Sequence, residues 1–171
     1  MKDKYIELYM DLAERIAQTS YAVRTKAGAI IVKDDIIVYG YNGTPSGWDN
    51  VCEYREYMSS DAGGWLSPDE MQLRRPYEIN VFGEPYQRYA LVTKPEVLHA
   101  EMNAISKIAK STISSEGATM FVTCSPCMEC AKAIYQAGIT TVYYRDKYRL
   151  LHGLEFLEKS NIRTIQVKKG E

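Results

Sequence analysis

Three of the four cysteines in this chain stand close together, at the spacing of a metal-binding run. Cys124, Cys127 and Cys130 follow one another at intervals of three residues in the stretch TCSPCMEC. An iron–sulfur run of the bacterial ferredoxin type would continue with a fourth cysteine and a proline, but the corresponding position holds Ile134. The stretch therefore favours a zinc site over an iron–sulfur cluster.

Cys127 and Cys130 are the strongest candidates for zinc ligands. They follow Pro126, which suits the first turn of a helix because its missing N–H costs nothing there. Residues three apart share one helix face, and the helix dipole at this end favours thiolates. Zinc needs further ligands, since a catalytic site takes three protein ligands and a water position whereas a structural site takes four. The candidates are His99, Cys52, Cys124 and His152.

His99 and Glu101 stand two residues apart in HAEMNAI, where an apolar helical pattern begins. Inside a helix the two side chains would point about 200° apart, so they can face one site only if it lies at the helix N-terminus. The extended residues before His99 and the helical period from Met102 predict such an end. The alternatives are a packed or capping histidine and a first-turn glutamate that only stabilises the helix dipole.

The elements that would position these residues alternate between helices and strands. An amphipathic helix comes first, and its predicted buried face holds Tyr5, Leu8, Tyr9, Leu12 and Ile16. The later segments are strands at 28–32 and 36–41, a helix at 99–110, a strand at 118–124, a helix at 127–137, a strand at 139–144, a helix with leucines at 150, 151, 154 and 157, and a strand at 162–167.

This alternation predicts an α/β fold, a three-layer α/β/α sandwich around a mixed, mainly five-stranded sheet. In such a fold the starts of the helices at 99–110 and 127–137 come to the edge formed by the carboxyl ends of the strands. That edge would bring His99 and Glu101 close to Cys127 and Cys130.

The chain of 171 residues is expected to form a single domain, 1–171, with an insertion at about 43–98. The insertion holds five of the six prolines and both tryptophans, and it is longer than an ordinary connection. Its aromatic residues, which include Trp65 and Tyr86, argue against plain disorder. It is interpreted either as a flap that contacts solvent or another subunit, or as a lid over the substrate.

The charge balance excludes several classes of partner. Lys and Arg number 21 and Asp and Glu number 22, so the net charge is -1 and the basic surface that binds a polynucleotide is missing. The charged start is unlike a signal peptide, and no run reaches the roughly 20 apolar residues of a membrane span. We expect a soluble, cytoplasmic protein that binds neither membrane nor polynucleotide.

The pattern H-x-E at His99, followed by P-C-x-x-C at Pro126, resembles the signature of the zinc-dependent cytidine deaminase superfamily. Within it the chain is similar to deoxycytidylate (dCMP) deaminases, because it also carries RTKAGAIIV at 24–32, GYNGTPSG at 40–47 and DKY at 146–148. The resemblance covers nearly the whole length. It implies the fold predicted above and the hydrolysis of dCMP to dUMP and ammonia, which would supply thymidylate synthesis.

For the reaction, the resemblance implies that His99, Cys127 and Cys130 hold one Zn²⁺. Water activated by the zinc would attack C4 of the cytosine ring, while Glu101 acts as general base and then as general acid toward N3 and the leaving amine. Cys124 is expected to be a buried spectator.

For the substrate, the resemblance implies that Asn42 contacts the deoxyribose and Tyr148 the phosphate, with Ala100 and Ser125 as further substrate-binding residues. A phosphate dianion needs several donors. A compact polar and basic group precedes the first strand and suits this role, although a solvated connection would look the same: Ser20, Arg24, Thr25 and Lys26.

The resemblance also implies a homo-oligomer, a hexamer, with an allosteric site at Gly40, Tyr41, Asn42 and Gly43. Such enzymes are often activated by dCTP with Mg²⁺ and inhibited by dTTP. A second, structural zinc is not expected, because Ala22 and Val23 stand where some relatives have a cysteine and Cys52 lacks a partner.

Two other functions stay open. The first is a deaminase that acts on dCTP or on another base. The second is a zinc-stabilised nucleotide-binding regulator without catalysis, which would have no need of Glu101.

Overall fold

Outside the insertion, the helices and strands of the computed structural model follow the order that the sequence predicts. The structure describes residues 1–57, 76–79 and 87–169. The helices are α1 (Asp3–Ala17), α2 (Ala100–Ala109), α3 (Met128–Gln136) and α4 (His152–Lys159). The strands are β1 (Gly28–Lys33), β2 (Ile36–Tyr41), β3 (Glu53–Tyr57), β4 (Pro76–Ile79), β5 (Gln87–Thr93), β6 (Thr119–Cys124), β7 (Thr141–Asp146) and β8 (Arg163–Gln166).

Five strands form a mixed sheet in the order β2-β1-β6-β7-β8. Strand β1 pairs antiparallel with β2, in the predicted hairpin, and with β6, whereas β6, β7 and β8 are parallel. Parallel neighbours need crossover connections, and α3 and α4 provide them. The predicted mixed five-stranded sheet is confirmed.

Side chains that alternate along the strands form a core on each face of the sheet. On one face, Ile31 and Met120 pack with buried residues of α2, α3 and α4. On the other face, Ile30 and Phe121 pack with Met10 of α1. Helices therefore cover both faces, and the three-layer α/β/α sandwich is confirmed.

The buried face of α1 is shifted from the prediction. Tyr5 and Leu8 are exposed, and the fully buried side chains of α1 are instead those of Met10 and Ala13. The apolar side chain of Met10 and the small side chain of Ala13 let α1 lie close to the sheet.

Among the described residues, no helix has the length and apolar character needed to cross a bilayer.

Two other helix starts also differ from the prediction. Helix α4 begins at His152, so Leu150 and Leu151 precede it and are exposed instead of belonging to its buried face. Helix α3 is capped by Cys127, which places Pro126 before the helix and not in its first turn. In both cases the helix begins later in the chain than the sequence pattern predicts.

The predicted insertion contributes a small sheet of its own. Strands β3, β5 and β4 pair antiparallel in that order, and an isolated bridge joins Gly43 to Leu98 at the two ends of the segment. Trp65 and Tyr86, two of the aromatic residues on which the prediction of order depended, lie outside the described residues.

Arg145 ties α1 to the sheet by charge. Its side chain is 7% exposed in β7, and its Nε donates to Oε1 of Glu14 at 2.6 Å while Nη1 donates to the carbonyl oxygen of Val167 at 3.1 Å. Carboxylate oxygens of Glu7 and Asp11, earlier on α1, lie 3.7 and 3.6 Å from the same guanidinium group. Without this cation three carboxylates would stand together beside the sheet.

We expect Arg145→Met to lower the free energy of unfolding by about 2–4 kcal/mol at neutral pH. Burial is the largest influence on Glu14 and raises its pKa, but hydrogen bonds and charges of Lys169 and Arg145 outweigh it and hold the pKa below the usual value. A lowered pKa gives stability that is present above the unfolded-state pKa and lost as pH falls through the folded-state pKa. Urea unfolding followed by circular dichroism should therefore show a smaller difference at about pH 3 than at neutral pH.

Lys132→Met is the matched control for this variant. Lys132 forms an exposed ion pair with Glu129 at 2.7 Å, and such pairs contribute about 0–1 kcal/mol. Equal losses of stability in the two variants would contradict the role given to Arg145.

Candidate metal centre and active site

His99, Cys127 and Cys130 form a three-donor cluster beside the carboxyl end of β6. Nδ1 of His99 lies 3.5 Å from Sγ of Cys127 and 3.4 Å from Sγ of Cys130, and one ligand atom from each residue lies within 4.8 Å of the others. Tetrahedral zinc with ordinary bond lengths would separate nitrogen from sulfur by about 3.6 Å. The three donors therefore fit zinc as its protein ligands. In residues 1–57, 76–79 and 87–169 no other group of three such side chains comes together in this way.

Two helix N-termini position the cluster. His99 caps α2 and Cys127 caps α3, each with extended backbone, and Cys130 lies in the first turn of α3. The partial positive charge at a helix N-terminus stabilises thiolates. His99 and Glu101 face the site from the end of α2, which is the arrangement expected from their spacing.

Two glycines let neighbouring elements approach these helix ends closely. A Cβ atom on Gly40 of β2 would lie 2.2 Å from the carbonyl oxygen of Ala100 in the first turn of α2. A Cβ atom on Gly153 of α4 would lie 2.0 Å from the carbonyl oxygen of Pro126, the residue before Cys127. The main chain on each side of the cluster therefore rests directly on another element.

The two thiols of the cluster differ in how readily they ionise. The hydrogen bond with Cys130, and a further one with His99, lower the pKa of Cys127 to about 3, although burial opposes them. The hydrogen bond to Cys127, together with burial, raises the pKa of Cys130. The hydrogen bond with Cys127 also raises the pKa of His99. A bound cation takes the place of the thiol protons.

Glu101 is the buried carboxyl group next to the cluster. It is 7% exposed and lies in the first turn of α2. Burial is the main influence on its pKa and raises it, while the backbone amide at the helix start and the charge of His99 act in the opposite direction. A raised pKa brings the group nearer to the neutral range, which suits a group that takes up and returns a proton.

The other candidate ligands lie outside the cluster. Cys124 is half-buried at the end of β6, and burial raises its pKa to about 11, which favours the neutral thiol. Cys52 is 1% exposed and packs against Ala22 and Val97. His152 is an exposed residue at the start of α4. The structure thus favours three protein ligands over four.

Asn42 and Ser20, which are both predicted to contact the substrate, form hydrogen bonds that hold the first loop. This loop comprises residues 18–27, between α1 and β1. Oδ1 of Asn42 accepts the N–H of Ala27 at 2.7 Å, and Nδ2 donates to the carbonyl oxygen of Thr25 at 2.8 Å. The hydroxyl group of Ser20 donates to the carbonyl oxygen of Asn42 at 2.7 Å and is 2% exposed. In this structure both side chains shape the loop.

Glu53 holds the same loop, and sequence reasoning did not identify it as a site residue. Its side chain is 8% exposed, and Oε1 accepts the N–H of Val23 at 3.0 Å and of Arg24 at 3.1 Å. Nη1 of Arg24 donates to the hydroxyl group of Thr93 at 3.1 Å. The sequence offered one signal, the pair Cys52 and Glu53 after GYNGTP, but the pair alone does not say what the carboxylate contacts.

Lys26 lies at a cavity of about 460 Å³ beside α1. Its Nζ donates to the carbonyl oxygen of Gln18 at 3.4 Å. None of the three donor residues lines this cavity, although Thr123 and Asp146, near the carboxyl ends of β6 and β7, do so. Its charged lining residues are Glu14, Lys26, Arg145, Asp146, Lys168 and Lys169.

Ser125 and Tyr148, both predicted substrate contacts, are joined by a hydrogen bond. The N–H of Tyr148 donates to Oγ of Ser125 at 2.7 Å, and the N–H of Ser125 donates to the carbonyl oxygen of Asp146 at 2.8 Å. Ser125 is 2% exposed, whereas Tyr148 is half-buried. The segment after β7 is thereby fastened to the chain that leads into Cys127.

The GYNG segment, predicted to be regulatory, is attached to the start of α2. Gly43 and Leu98 exchange backbone hydrogen bonds of 3.1 and 2.9 Å. The carbonyl oxygen of Tyr41 accepts a bond of 2.7 Å from Nδ2 of Asn103, a contact that the sequence did not predict. Asn42 is the chain neighbour of Gly43, and these bonds therefore bring it near Leu98, the residue that precedes His99.

Comparison with known proteins identifies a family. A family model described as the cytidine and deoxycytidylate deaminase zinc-binding region matches residues 3–146. The chain is 38% identical over 154 residues to a protein of Enterobacteria phage T4 named deoxycytidylate deaminase, with 81% of this chain and 76% of that protein covered. It is 34% identical over 153 residues to the human protein of the same name, with 86% and 70% covered.

A solved structure resembles this one over almost its whole length. The crystal structure of dCMP deaminase from the cyanophage S-TIM5, in complex with dCMP and dUMP, matches with a TM-score of 0.75 and 37% identity and covers 98% of this chain and 99% of that one.

Proposed function

Because this chain belongs to the cytidine and deoxycytidylate deaminase zinc-binding family, we propose that it hydrolyses dCMP to dUMP and ammonia. The observation that carries the proposal is the buried carboxyl group of Glu101 beside the donor cluster. Relatives from phage T4 and human are named deoxycytidylate deaminases, and the similar cyanophage enzyme was solved with dCMP and dUMP. The dUMP formed would supply thymidylate synthesis.

Glu101 is placed to carry protons between water and the base. Zinc held by His99, Cys127 and Cys130 would act as a Lewis acid that lowers the pKa of water in the open position. Glu101 takes a proton from the attacking water and passes it to N3 of the ring as the C4–O bond forms. It then takes the remaining proton from the new hydroxyl group on C4 and delivers it to the amino group, so that C4=O forms as the C4–N bond breaks. The carboxyl group ends in the state in which it began, so dCMP and water balance dUMP and ammonia.

For recognition, the 5′-phosphate is assigned to the first loop, with Arg24 and Lys26, and to Tyr148. Asn42 and Ser20 are assigned to the deoxyribose side of the pocket. Two contacts support this assignment: Asn42 joins the first loop to the segment beside His99, and Ser125 joins Tyr148 to the segment before Cys127. Ala100 and Ser125, which are both buried, are assigned as further substrate-binding residues.

The substrate is tested by following the ultraviolet absorbance of dCMP, which is expected to fall as uracil forms. Dialysis against a strong chelator should stop the reaction and added Zn²⁺ should restore it, because the open zinc position supplies the water. Deoxycytidine lacks the phosphate and should show a kcat/KM lower by about a hundredfold or more.

Other outcomes of the same assay decide between the alternative functions. Faster turnover of dCTP than of dCMP would make the protein a triphosphate deaminase, and turnover of a tRNA anticodon stem would place its substrate in RNA. A zinc-loaded protein that binds dCMP without converting it would be a nucleotide-binding regulator.

We further propose a homo-oligomer, a hexamer, located in the cytoplasm and formed by a single domain with the insertion at about 43–98. Tyr21, Val23 and Trp48 are 61%, 67% and 60% exposed, and large apolar side chains of this kind suit a subunit contact. Activation by dCTP with Mg²⁺ and inhibition by dTTP at residues 40–43 follow from the family resemblance alone. Sedimentation with and without these nucleotides tests the size of the oligomer and its response to the nucleotides.

A further inference from the structure

The first loop is held by a buried carboxylate that the proposed reaction does not use. Glu53 begins β3 and is 8% exposed, and its Oε1 accepts two consecutive backbone N–H groups, those of Val23 and Arg24. A carboxylate that accepts neighbouring amide hydrogens forms charge-assisted bonds, which are stronger than bonds between neutral groups. The bonds fix the main chain of the loop at its bend.

The loop that Glu53 holds carries basic side chains. Arg24 follows the bend directly, and its guanidinium group is held at the far end by the hydroxyl group of Thr93. Lys26 follows two residues later, where Asn42 bonds the main chain on both sides of it, at Thr25 and Ala27. Residues 18–27 contain neither helix nor strand. The side-chain contacts therefore hold the main chain of the loop, as regular backbone hydrogen bonds do in a helix or a strand.

A loop that is already ordered binds its ligand more tightly than one that must become ordered on binding. The benefit falls on the groups that the loop carries, and here those are cations placed before the first strand. The catalytic cluster stands on other elements, since α2 and α3 hold His99, Cys127 and Cys130. A change at Glu53 should therefore affect binding of the phosphate more than the chemical step.

We propose that Glu53 is a positioning residue for recognition of the 5′-phosphate of the substrate. It acts through the main chain of Val23 and Arg24 and holds Arg24 and Lys26 in the geometry that receives the phosphate. This inference rests on the proposed function, because it takes the substrate to be a nucleotide.

The test compares dCMP with deoxycytidine in the variant Glu53→Gln, which keeps the size of the side chain and one acceptor oxygen but removes the charge. KM for dCMP is expected to rise by about tenfold, with kcat changed by less than about threefold. The kcat/KM for deoxycytidine should change by less than about twofold, because no phosphate is present.

Asp49→Asn is the matched control. Asp49 is a carboxylate of the same stretch, its side chain is 63% exposed, and it pairs with Lys94 at 3.5 Å, so its change should leave both substrates at wild-type values. An equal loss for dCMP and deoxycytidine in Glu53→Gln would overturn the proposal in favour of a general structural role, and unchanged constants would overturn it too.

A double-mutant cycle decides the matter even if deoxycytidine reacts too slowly to measure. In a background that carries both Arg24→Met and Lys26→Met, Glu53→Gln should add less than about twofold to KM for dCMP, because both groups that it positions are gone. A full tenfold addition in that background would show that Glu53 acts elsewhere and would overturn the proposal.

Hydrogen–deuterium exchange separates this proposal from the proposed function. Peptides of the first loop should exchange about tenfold faster in Glu53→Gln, while peptides of β6 keep their rate. Unchanged exchange in the loop would refute the positioning role even in an active enzyme. A faster-exchanging loop in a protein without dCMP turnover would refute the proposed function, and with it the phosphate role, but not the contact itself.

Discussion

Glu101→Gln is expected to abolish the deamination of dCMP, with kcat lowered by about 10²–10⁴-fold, while the protein keeps one zinc ion per chain. Glutamine fills the same buried space in the first turn of α2, but its amide cannot take a proton from water or return one to the base. Zinc should stay because Glu101 is not among the three donors. Steady-state kinetics and metal analysis of the same sample measure both quantities.

Glu155→Gln is the control for this variant. Glu155 also lies in the first turn of a helix, α4, but it is exposed and stands away from the cluster. Its replacement should leave kcat unchanged. Wild-type turnover by Glu101→Gln would mean that another group carries the protons, and loss of zinc from that variant would move the role of Glu101 from catalysis to metal binding.

Cys127→Ala should lose zinc, and activity should fall with it by about a hundredfold or more. Loss of a direct ligand is expected to cost at least as much activity as loss of an outer-shell partner, which costs about 10–100-fold. Only two of the three donors remain in the variant. Metal content after dialysis, and the concentration of a competing chelator that removes half of the zinc, measure the effect without reference to turnover.

Cys124→Ala is the informative comparison, because Cys124 belongs to the same run of three cysteines. Its neutral, half-buried thiol lies outside the cluster, so this variant should keep both zinc and activity. If Cys124→Ala also lost zinc, a fourth protein ligand would close the site, water would have no position, and the reading as a catalytic centre would fail.

The approach of the zinc donors could be predicted from the sequence for a geometric reason. The two-residue spacing of His99 and Glu101 excludes the side of a helix and leaves its end. The three-residue spacing of Cys127 and Cys130 needs only one turn. Both requirements are local, and the alternation of strands and helices then places the two helix starts at one edge of the sheet.

The contacts of the first loop could not be predicted in the same way. Glu53 meets Val23 and Arg24 across about thirty residues of sequence, with separations of 30 and 29, and no periodicity encodes a contact between a loop and a strand of another sheet. Asn42 is predicted to contact the substrate, and nothing in the sequence indicates that both ends of its amide also bond the main chain of the first loop. Polar side chains read alike in the sequence whether they hold a ligand or the protein's own backbone.

Errors in helix starts have a related cause. Leu150 and Leu151 continue the apolar spacing of Leu154 and Leu157, but the helix begins only at His152. Apolar spacing records which residues are compatible with a buried face and not where the first turn closes. Arg145 shows the reverse limitation, because a charged residue in an apolar strand becomes understandable only when three acidic residues of α1 are found above it.

The paired strands β3 and β5 form a stem whose base lies at Glu53 and Thr93 and whose far end lies at Tyr57 and Tyr89. The far end also carries the pairing of β4 with β5, whereas at the base Thr93 accepts a hydrogen bond from Arg24 of the first loop. Substitutions at the base of the stem therefore act on the first loop, whereas substitutions at the far end act on the pairing of β4 with β5, so the two ends of one strand pair can be engineered for different purposes.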